Sequence, residues 1–267
     1  LAFERVADQD VIDAHATVAP KAKVAVVPPG VAFGRLLEQA KAIVAAGEAA
    51  EEAARDEASE PVGQIRLAAP MSYGISRVAP LLSEFLCSHR GISIDMHLSD
   101  ARVDLIGERF DLALRIGALP DSSLRARRLR GVKSYVLASP DYLAENGEPR
   151  HPAQLGEHRC LSYSLSSNPE SWRFTGPDGS EAVVRLSGPL RVNNGEAMLP
   201  ALCAGLGIGT LPDFICEKEI AAGRLIPILS EWKTPPIAIH IVTPPGSFRP
   251  RRLTALIEFL AEKLSTA

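Results

Sequence analysis

From residue 63 onward, strand-like runs alternate with helix-like stripes, and this alternation limits the fold more than any other feature of the chain. Three runs have the pattern of strands: 64–69, 92–98 and 111–116. Two segments between them have apolar residues at helical spacing: 75–86 and 103–110. A β-α-β-α-β succession predicts a parallel sheet with right-handed crossovers. The sequence therefore predicts an α/β fold.

A second succession of strands and helices follows, which predicts a second α/β lobe. Strands are predicted at 124–129, 133–139, 158–164, 190–192, 208–211, 225–229 and 237–242, and helices at 196–204 and 213–222. The run Gly176-Pro177-Asp178-Gly179 is typical of a hairpin turn. A C-terminal amphipathic helix is indicated by the spacing of Leu253, Leu256, Ile257, Leu260 and Leu264. Two such lobes enclose a cleft, where α/β proteins commonly bind ligands.

The N-terminal part of the chain follows a different pattern. Residues 31–60 carry one narrow apolar stripe on a background of Ala and Glu, which predicts a long connecting or pairing helix. The stripe includes Phe33, Leu36, Leu37 and Ile43, and we expect these four residues to mediate dimerisation. Residues 1–30 show no persistent period and are left unassigned.

Composition excludes several classes of protein. Lys and Arg (29) nearly balance Asp and Glu (32), so a contact with DNA would need a local patch. The most basic run, Arg125 to Lys133, favours a solvated face over a polyanion site. With no run of eighteen apolar residues and no signal peptide, the expected location is the cytoplasm.

Sequence motifs of metal sites and of common enzymes are missing. The four cysteines match no zinc spacing and are expected to be free thiols. The chain has no Gly-x-Ser-x-Gly elbow, phosphate-binding loop or His-Glu-x-x-His motif. The glycines near 205–209 follow a helix and precede a strand, which is the reverse of a dinucleotide-binding fingerprint. We therefore expect no metal, no cofactor and no catalytic activity.

Four turns are expected to line the cleft and to bind the ligand. They are residues 70–73, 115–117, 193–195 and 207–210. Ser72 is placed to cap a helix whose free N–H groups would favour an anion, although a plain helix cap is an equal alternative. The Arg115 guanidinium could bind a carboxylate, with a surface arginine as the alternative. Gly205 is interpreted as a helix C-cap and Gly207 as part of the turn into the next strand.

Five segments in order resemble the effector-binding domain of LysR-type bacterial transcriptional regulators. They are GQIRLAAP (63–70), LLSEF (81–85), VDLIGERFDLALRIG (103–117), LASPDYL (137–143) and GLGIGTLP (205–212). The resemblance implies a two-lobed fold like that of type 2 periplasmic binding proteins, preceded by a long linker helix that pairs subunits. Lobe I would comprise residues 63–138 and 235–267, and lobe II residues 139–234.

The resemblance also implies partners. A small-molecule effector, such as a carboxylate, would bind between the lobes, and the chain would form a homodimer or homotetramer. The resemblance places the effector contacts at Met71, Ser72, Arg115, Ile116, Asn193, Asn194, Gly207 and Ile208. The family binds DNA through an N-terminal winged helix-turn-helix domain, and residues 1–30 are too short and too acidic to match one. DNA binding is therefore expected only if the intact protein has that domain. The alternative is a periplasmic-type solute-binding protein, and an enzyme on the same fold is the least favoured.

Overall fold

The computed structural model of the chain describes residues 60–119, 123–246 and 249–265. The unassigned segment 1–30 lies outside these residues. The predicted linker helix also lies outside them, except for Glu60. Dimerisation through Phe33, Leu36, Leu37 and Ile43 therefore stays a prediction.

Strands and short helices alternate along the described residues. The strands are β1 (Gly63–Ala69), β2 (Ile92–Leu98), β3 (Leu112–Gly117), β4 (Arg125–Val132), β5 (Ser134–Ala138), β6 (Ser162–Tyr163), β7 (Ser171–Thr175), β8 (Glu181–Arg185), β9 (Arg191–Val192), β10 (Gly209–Pro212), β11 (Ile226–Ile228) and β12 (Ile237–Thr243). The α-helices are α1 (Met71–Tyr73), α2 (Ala79–Ser88), α3 (Pro140–Asn146), α4 (Leu199–Cys203), α5 (Asp213–Ala221) and α6 (Arg251–Ser265). A π-helical turn (Gly74–Val78) joins α1 to α2, and 3₁₀ turns span Pro152–Glu157 and Glu196–Met198.

The larger sheet has the strand order β2-β1-β3-β12-β4. Strand β1 pairs in parallel with β2 and β3, as the sequence predicts. Strand β12 pairs antiparallel with both β3 and β4, so the sheet is mixed rather than wholly parallel. The chain reaches β12 from the second sheet. Strand β12 therefore begins beside the carboxyl end of β3 and runs in the direction opposite to β1 and β3.

Two helices cover one face of this sheet. The predicted stripe on α6 is confirmed, because Leu253, Leu256, Ile257, Leu260 and Leu264 are all buried. The ring of Phe259 on α6 lies 5.3 Å from that of Phe85 on α2, between centroids. These side chains and the inward faces of β1, β3 and β12 form the main apolar core.

The other face of the sheet is covered by turns rather than by the helix predicted over 103–110. The Asp104 carboxylate accepts hydrogen bonds from the backbone N–H groups of Ile106 and Gly107, both at 3.1 Å. Such local bonds compete with helix formation. The apolar residues Leu105 and Phe110 are nevertheless buried, so the apolar spacing was correct and the helix assignment was wrong.

The remaining strands form smaller units. Strand β5 lies between β10 and β11, antiparallel to both, while β6 pairs with β9 and β7 forms a hairpin with β8. The prediction assigned residues 134–138 to lobe I, but this strand belongs to the second sheet. The lobe boundary after residue 138 is therefore one strand too late. We call residues 60–132 and 237–265 the first lobe and residues 133–236 the second lobe.

The glycine after α4 ends that helix as predicted. Gly205 has φ of +73°, a conformation that glycine adopts at little cost. Its N–H donates to the Leu202 carbonyl, and the N–H of Leu206 donates to the Ala201 carbonyl. This pair of hydrogen bonds is the Schellman motif. It turns the chain sharply toward β10 at the edge of the cleft.

Candidate functional site

A cavity of about 1080 Å³ lies between the first and second lobes. The carboxyl ends of β1 and β3 form its wall on the first lobe, as expected for ligand sites in α/β sheets. The second lobe contributes the loop 163–169, the hairpin strands β7 and β8, and the end of β10. Residues 234–236, which lead back to the first lobe, lie along the same cavity.

The first predicted segment lies at the end of β1. Ser72 lines the cavity and is buried, whereas Met71 is 42% exposed and lies off the cavity wall. Ser72 does not cap the helix; the Met71 N–H instead donates to Oδ1 of Asp100 at 2.8 Å. The helix start therefore already binds an anionic group, which is supplied by the protein itself.

Arg115 and Ile116, at the end of β3, both line the cavity as predicted. The Nη2 of Arg115 donates to the Val103 carbonyl at 2.9 Å. Burial, and then the neighbouring charge of Arg102, lower the pKa of Arg115. Among the described carboxylates, none forms an ion pair with Arg115. Two adjacent guanidinium groups on the cavity wall therefore favour an anionic ligand.

Asn194 joins the two lobes. Its Nδ2 donates to Oδ2 of Asp100 at 2.7 Å and to Oγ of Ser72 at 3.1 Å. We call these three residues the clasp. Neither Asn194 nor the exposed Asn193 is on the cavity wall, where Gly195 lies instead. The sequence thus located the correct turn, and the structure shows that Asn194 holds the edge of the cleft together.

The structure does not place Gly207 and Ile208 on the cavity wall, which is formed at this point by Thr210, Leu211 and Pro212. Ile208 has 0% exposure and packs in a second-lobe core. A Cβ at Gly207 would lie 2.3 Å from the Arg159 carbonyl oxygen, so this glycine permits close approach of two backbone segments. Their effector contacts, like those of the other candidate residues, stay predictions.

The sequence did not identify the cavity residues in the second-lobe loops. Tyr163 and the residues after it, Ser164-Leu165-Ser166-Ser167-Asn168, line the cavity. Burial, and then the nearby charge of Asp100, raise the pKa of Tyr163 to about 12, so its hydroxyl stays protonated at neutral pH. The serine-rich composition after a short strand was the available indication of a polar wall.

Helix α5 of the second lobe contacts the first lobe beside the cleft. The ring of Phe214 meets that of Tyr73 edge-on, with 5.1 Å between centroids. Arg77 pairs with Glu217 at 3.3 Å, and Arg130 pairs with Asp213 at 3.6 Å. Side chains of Arg130 and Asp213 are mostly buried, so this pair is less screened by solvent than the first. These contacts and the clasp hold the lobes in the observed arrangement.

No group of three or more His, Cys, Asp or Glu side chains among the described residues is placed to hold a metal ion. No helix in the part of the chain that the structure describes is long and apolar enough to cross a membrane.

Comparison with known proteins gives consistent matches. Residues 58–265 match the family model of the LysR substrate binding domain. An HTH-type transcriptional regulator of Xanthomonas campestris pv. campestris is 37% identical over 221 residues, which are 82% of this chain and 64% of that protein. The chain thus spans less than two thirds of that relative's length.

Solved structures of LysR-type regulators are also similar. The regulatory domain of CrgA from Neisseria meningitidis is 31% identical, with a TM-score of 0.66 over 76% of this chain and 100% of that one. Full-length AphB, a virulence activator of Vibrio cholerae, is 26% identical, with a TM-score of 0.69 over 86% of this chain and 79% of that one.

Proposed function

The chain belongs to the LysR family through its substrate-binding domain, and from this premise we propose that it is the effector-sensing part of a transcriptional regulator. A small molecule would bind in the cavity between the lobes. Its binding would change how an intact regulator holds DNA, through a helix-turn-helix domain of the kind named in the relatives.

The observation that carries the proposal is the cavity whose edge is closed by hydrogen bonds between two lobes. Asn194 on the second lobe bonds to two first-lobe residues, so opening the cleft breaks both bonds. A ligand that binds one arrangement more tightly shifts the population toward it. The free energy of this shift is what a regulator can pass on to its DNA-binding part.

We propose that the effector carries a carboxylate. Arg115 is half-buried, lines the cavity and has no described carboxylate as a partner. A carboxylate would be bound by its guanidinium through charge-assisted hydrogen bonds. Ser72 and Ile116 line the same cavity and are the proposed neighbouring contacts.

The relatives favour this function over a periplasmic-type solute-binding protein, because they are HTH-type transcriptional regulators. The same comparison supports a binding role rather than a catalytic one. A regulator acts where the DNA is, and we therefore propose the cytoplasm as its location.

We also propose that residues 31–60 form a helix that pairs two copies of the chain. The apolar stripe with Phe33, Leu36, Leu37 and Ile43 supports it. Light scattering should show a dimer or tetramer at micromolar concentration, and Leu37→Glu should weaken it, since a lost apolar contact costs about 1–3 kcal/mol. A monomeric wild-type chain would contradict this.

Ligand binding can be tested with the two tryptophans of the chain. Trp172 lines the cavity, while Trp232 packs against a second-lobe core with its ring 4.7 Å from that of His151. Titration with a panel of small aliphatic and aromatic acids should change the fluorescence of the wild type and of Trp232→Phe. The change should be lost in Trp172→Phe, although calorimetry should still detect binding. If no acid on the panel produces heat or a fluorescence change, the carboxylate effector is wrong.

A further inference from the structure

The two walls of the cavity differ in chemistry. The first-lobe wall carries Arg115 and Arg102, together with Ser72 and Asp100 of the clasp. On the second-lobe wall, Leu165 and Val183 line the cavity and remain 43% and 59% exposed. Single exposed apolar residues are common, but two on the wall of one polar-edged cavity form a surface that a ligand can cover. We call Leu165, Val183 and Pro169, which lies between the loop and the hairpin, the apolar shelf.

The hairpin fold sets the direction of Val183. Strand β8 alternates, so that Val184 is buried in a second-lobe core while Val183 faces the cavity. Arg173, directly opposite Val183 in the hairpin, pairs with Glu181 at 3.0 Å. Arg173, which also lines the cavity, is therefore already partnered, in contrast to Arg115.

Strand β12 indicates how the chain leads from Arg115 toward the shelf. Arg115 is the register partner of His240, and from there the strand runs back to Ile237, a length of about 10 Å at 3.3 Å per residue. Before it, residues 234–236 line the cavity, and Lys233 bridges to Thr175 of the hairpin. An acid held at Arg115 must therefore extend well beyond its carboxylate to touch the shelf.

We propose that the ligand of this cavity is an amphipathic acid, with its carboxylate at Arg115 and an extended apolar chain or ring along Leu165, Pro169 and Val183. This inference rests on the proposed effector role and specifies its ligand class. The cavity volume of about 1080 Å³ is at the upper end of ligand pockets, which suits an elongated molecule better than a short acid.

The test is calorimetry of the full 267-residue chain with butanoate, octanoate and dodecanoate below their micelle concentrations, since only the longest of these chains extends past the strand length given above. Affinity should rise about two- to fourfold for each added methylene, because a fully buried methylene contributes about fourfold. Octan-1-ol, which has the same chain without the acid, should bind at least tenfold more weakly than octanoate. Arg115→Gln should weaken binding of all three acids.

Variants of the shelf test whether the dependence on chain length comes from the shelf or from nonspecific apolar contact. The double substitution Leu165→Ser with Val183→Thr should flatten the dependence on chain length and leave butanoate affinity unchanged. The matched control is Val62→Thr, since Val62 is equally exposed at 55% and lies off the cavity wall. This control should keep the full chain-length dependence.

The outcomes distinguish this inference from the proposed function. If short and long acids bind equally, the apolar shelf is not a ligand surface, although a carboxylate effector stands. If the chain-length dependence persists in the double variant, the apolar chain lies elsewhere and the inference fails. If no acid binds at all, the carboxylate effector fails together with this inference.

Discussion

The first and second lobes are built differently. The first has one five-stranded sheet with strands of up to eight residues, a large apolar core on one face and a small one on the other. The second has a three-stranded sheet and two two-stranded pairs around two smaller cores. The first-lobe wall of the cleft therefore consists of the ends of neighbouring strands in one sheet. The second-lobe wall consists largely of loops. We expect the second lobe to open and deform more readily, because cooperative units with smaller cores open at lower free energy.

The largest expected effect is on cysteine labelling at pH 8. Burial raises the pKa of Cys160 and of Cys216 to about 12, and both are buried in the second lobe, whereas Cys87 in the first lobe is exposed. Because the thiolate is the reactive form, Cys160 and Cys216 should be labelled at least about a thousandfold more slowly than Cys87. Mass spectrometry of pulse-labelled protein measures this.

The same labelling can sharpen the comparison of the lobes. Ala261→Cys places a thiol at a position of 3% exposure on α6 of the first lobe. If the lobes differ as proposed, Cys160 and Cys216 should react faster than that thiol under native conditions. Equal rates would show that both lobes open together and would break the comparison.

The next largest effect is expected on the free energy of unfolding, for a matched pair of core truncations. Leu67 in β1 and Leu137 in β5 each have 0% exposure and lie on an interior strand of their sheet. Leu67→Ala should lower the free energy of unfolding by about 3–5 kcal/mol and Leu137→Ala by about 2–3 kcal/mol, because the smaller core can collapse around the cavity. Urea denaturation followed by circular dichroism provides both values. A larger loss for Leu137→Ala would reverse the proposed order.

A smaller effect is expected in the second-lobe backbone. Gly207→Ala would bring a Cβ to 2.3 Å from the Arg159 carbonyl, so we expect a loss of about 1–3 kcal/mol. Gly156→Ala, where a Cβ meets nothing within 4 Å, is the control and should change stability by less than about 0.5 kcal/mol. Thermal unfolding of both variants would measure the difference. Equal losses of stability would contradict the idea that Gly207 is needed for close approach to the Arg159 backbone.

The smallest effect concerns the clasp. Asn194→Ala removes two hydrogen bonds between the lobes and should cost about 1–2 kcal/mol, while Asn193→Ala, at an exposed neighbouring position, should be neutral. Small-angle scattering should show a larger radius of gyration for Asn194→Ala alone. An unchanged radius would mean that the contacts of α5 suffice to keep the cleft closed.

The difference between the lobes also explains what the sequence could predict. Strands β1 and β2 and helix α6 follow regular periods with a large core beneath them, and the structure confirms them. The helix predicted at 103–110 was wrong because the side chain of Asp104 bonds to the backbone locally. Strand β5 was assigned to the wrong lobe because its sequence gives no information about its partners, which lie some seventy residues or more away.

The candidate site shows the same division. Ser72, Arg115 and Ile116 follow strands of the first lobe, where topology alone brings strand ends together, and all three line the cavity. The second-lobe wall depends on how the loop 163–169 folds, which has no period. Pattern analysis therefore found the turn of Asn194 and missed its bond to Asp100.

One consequence follows from the pairing of β4 with β12. Val132, at the end of β4, is the register partner of Ile237, at the start of β12, so the second lobe leaves and re-enters the first sheet at adjacent positions. It has the layout of an insert, and a tight turn could in principle replace it. During synthesis, however, β12 emerges only after the whole insert, so on the ribosome the first sheet stays incomplete until the second lobe has been made.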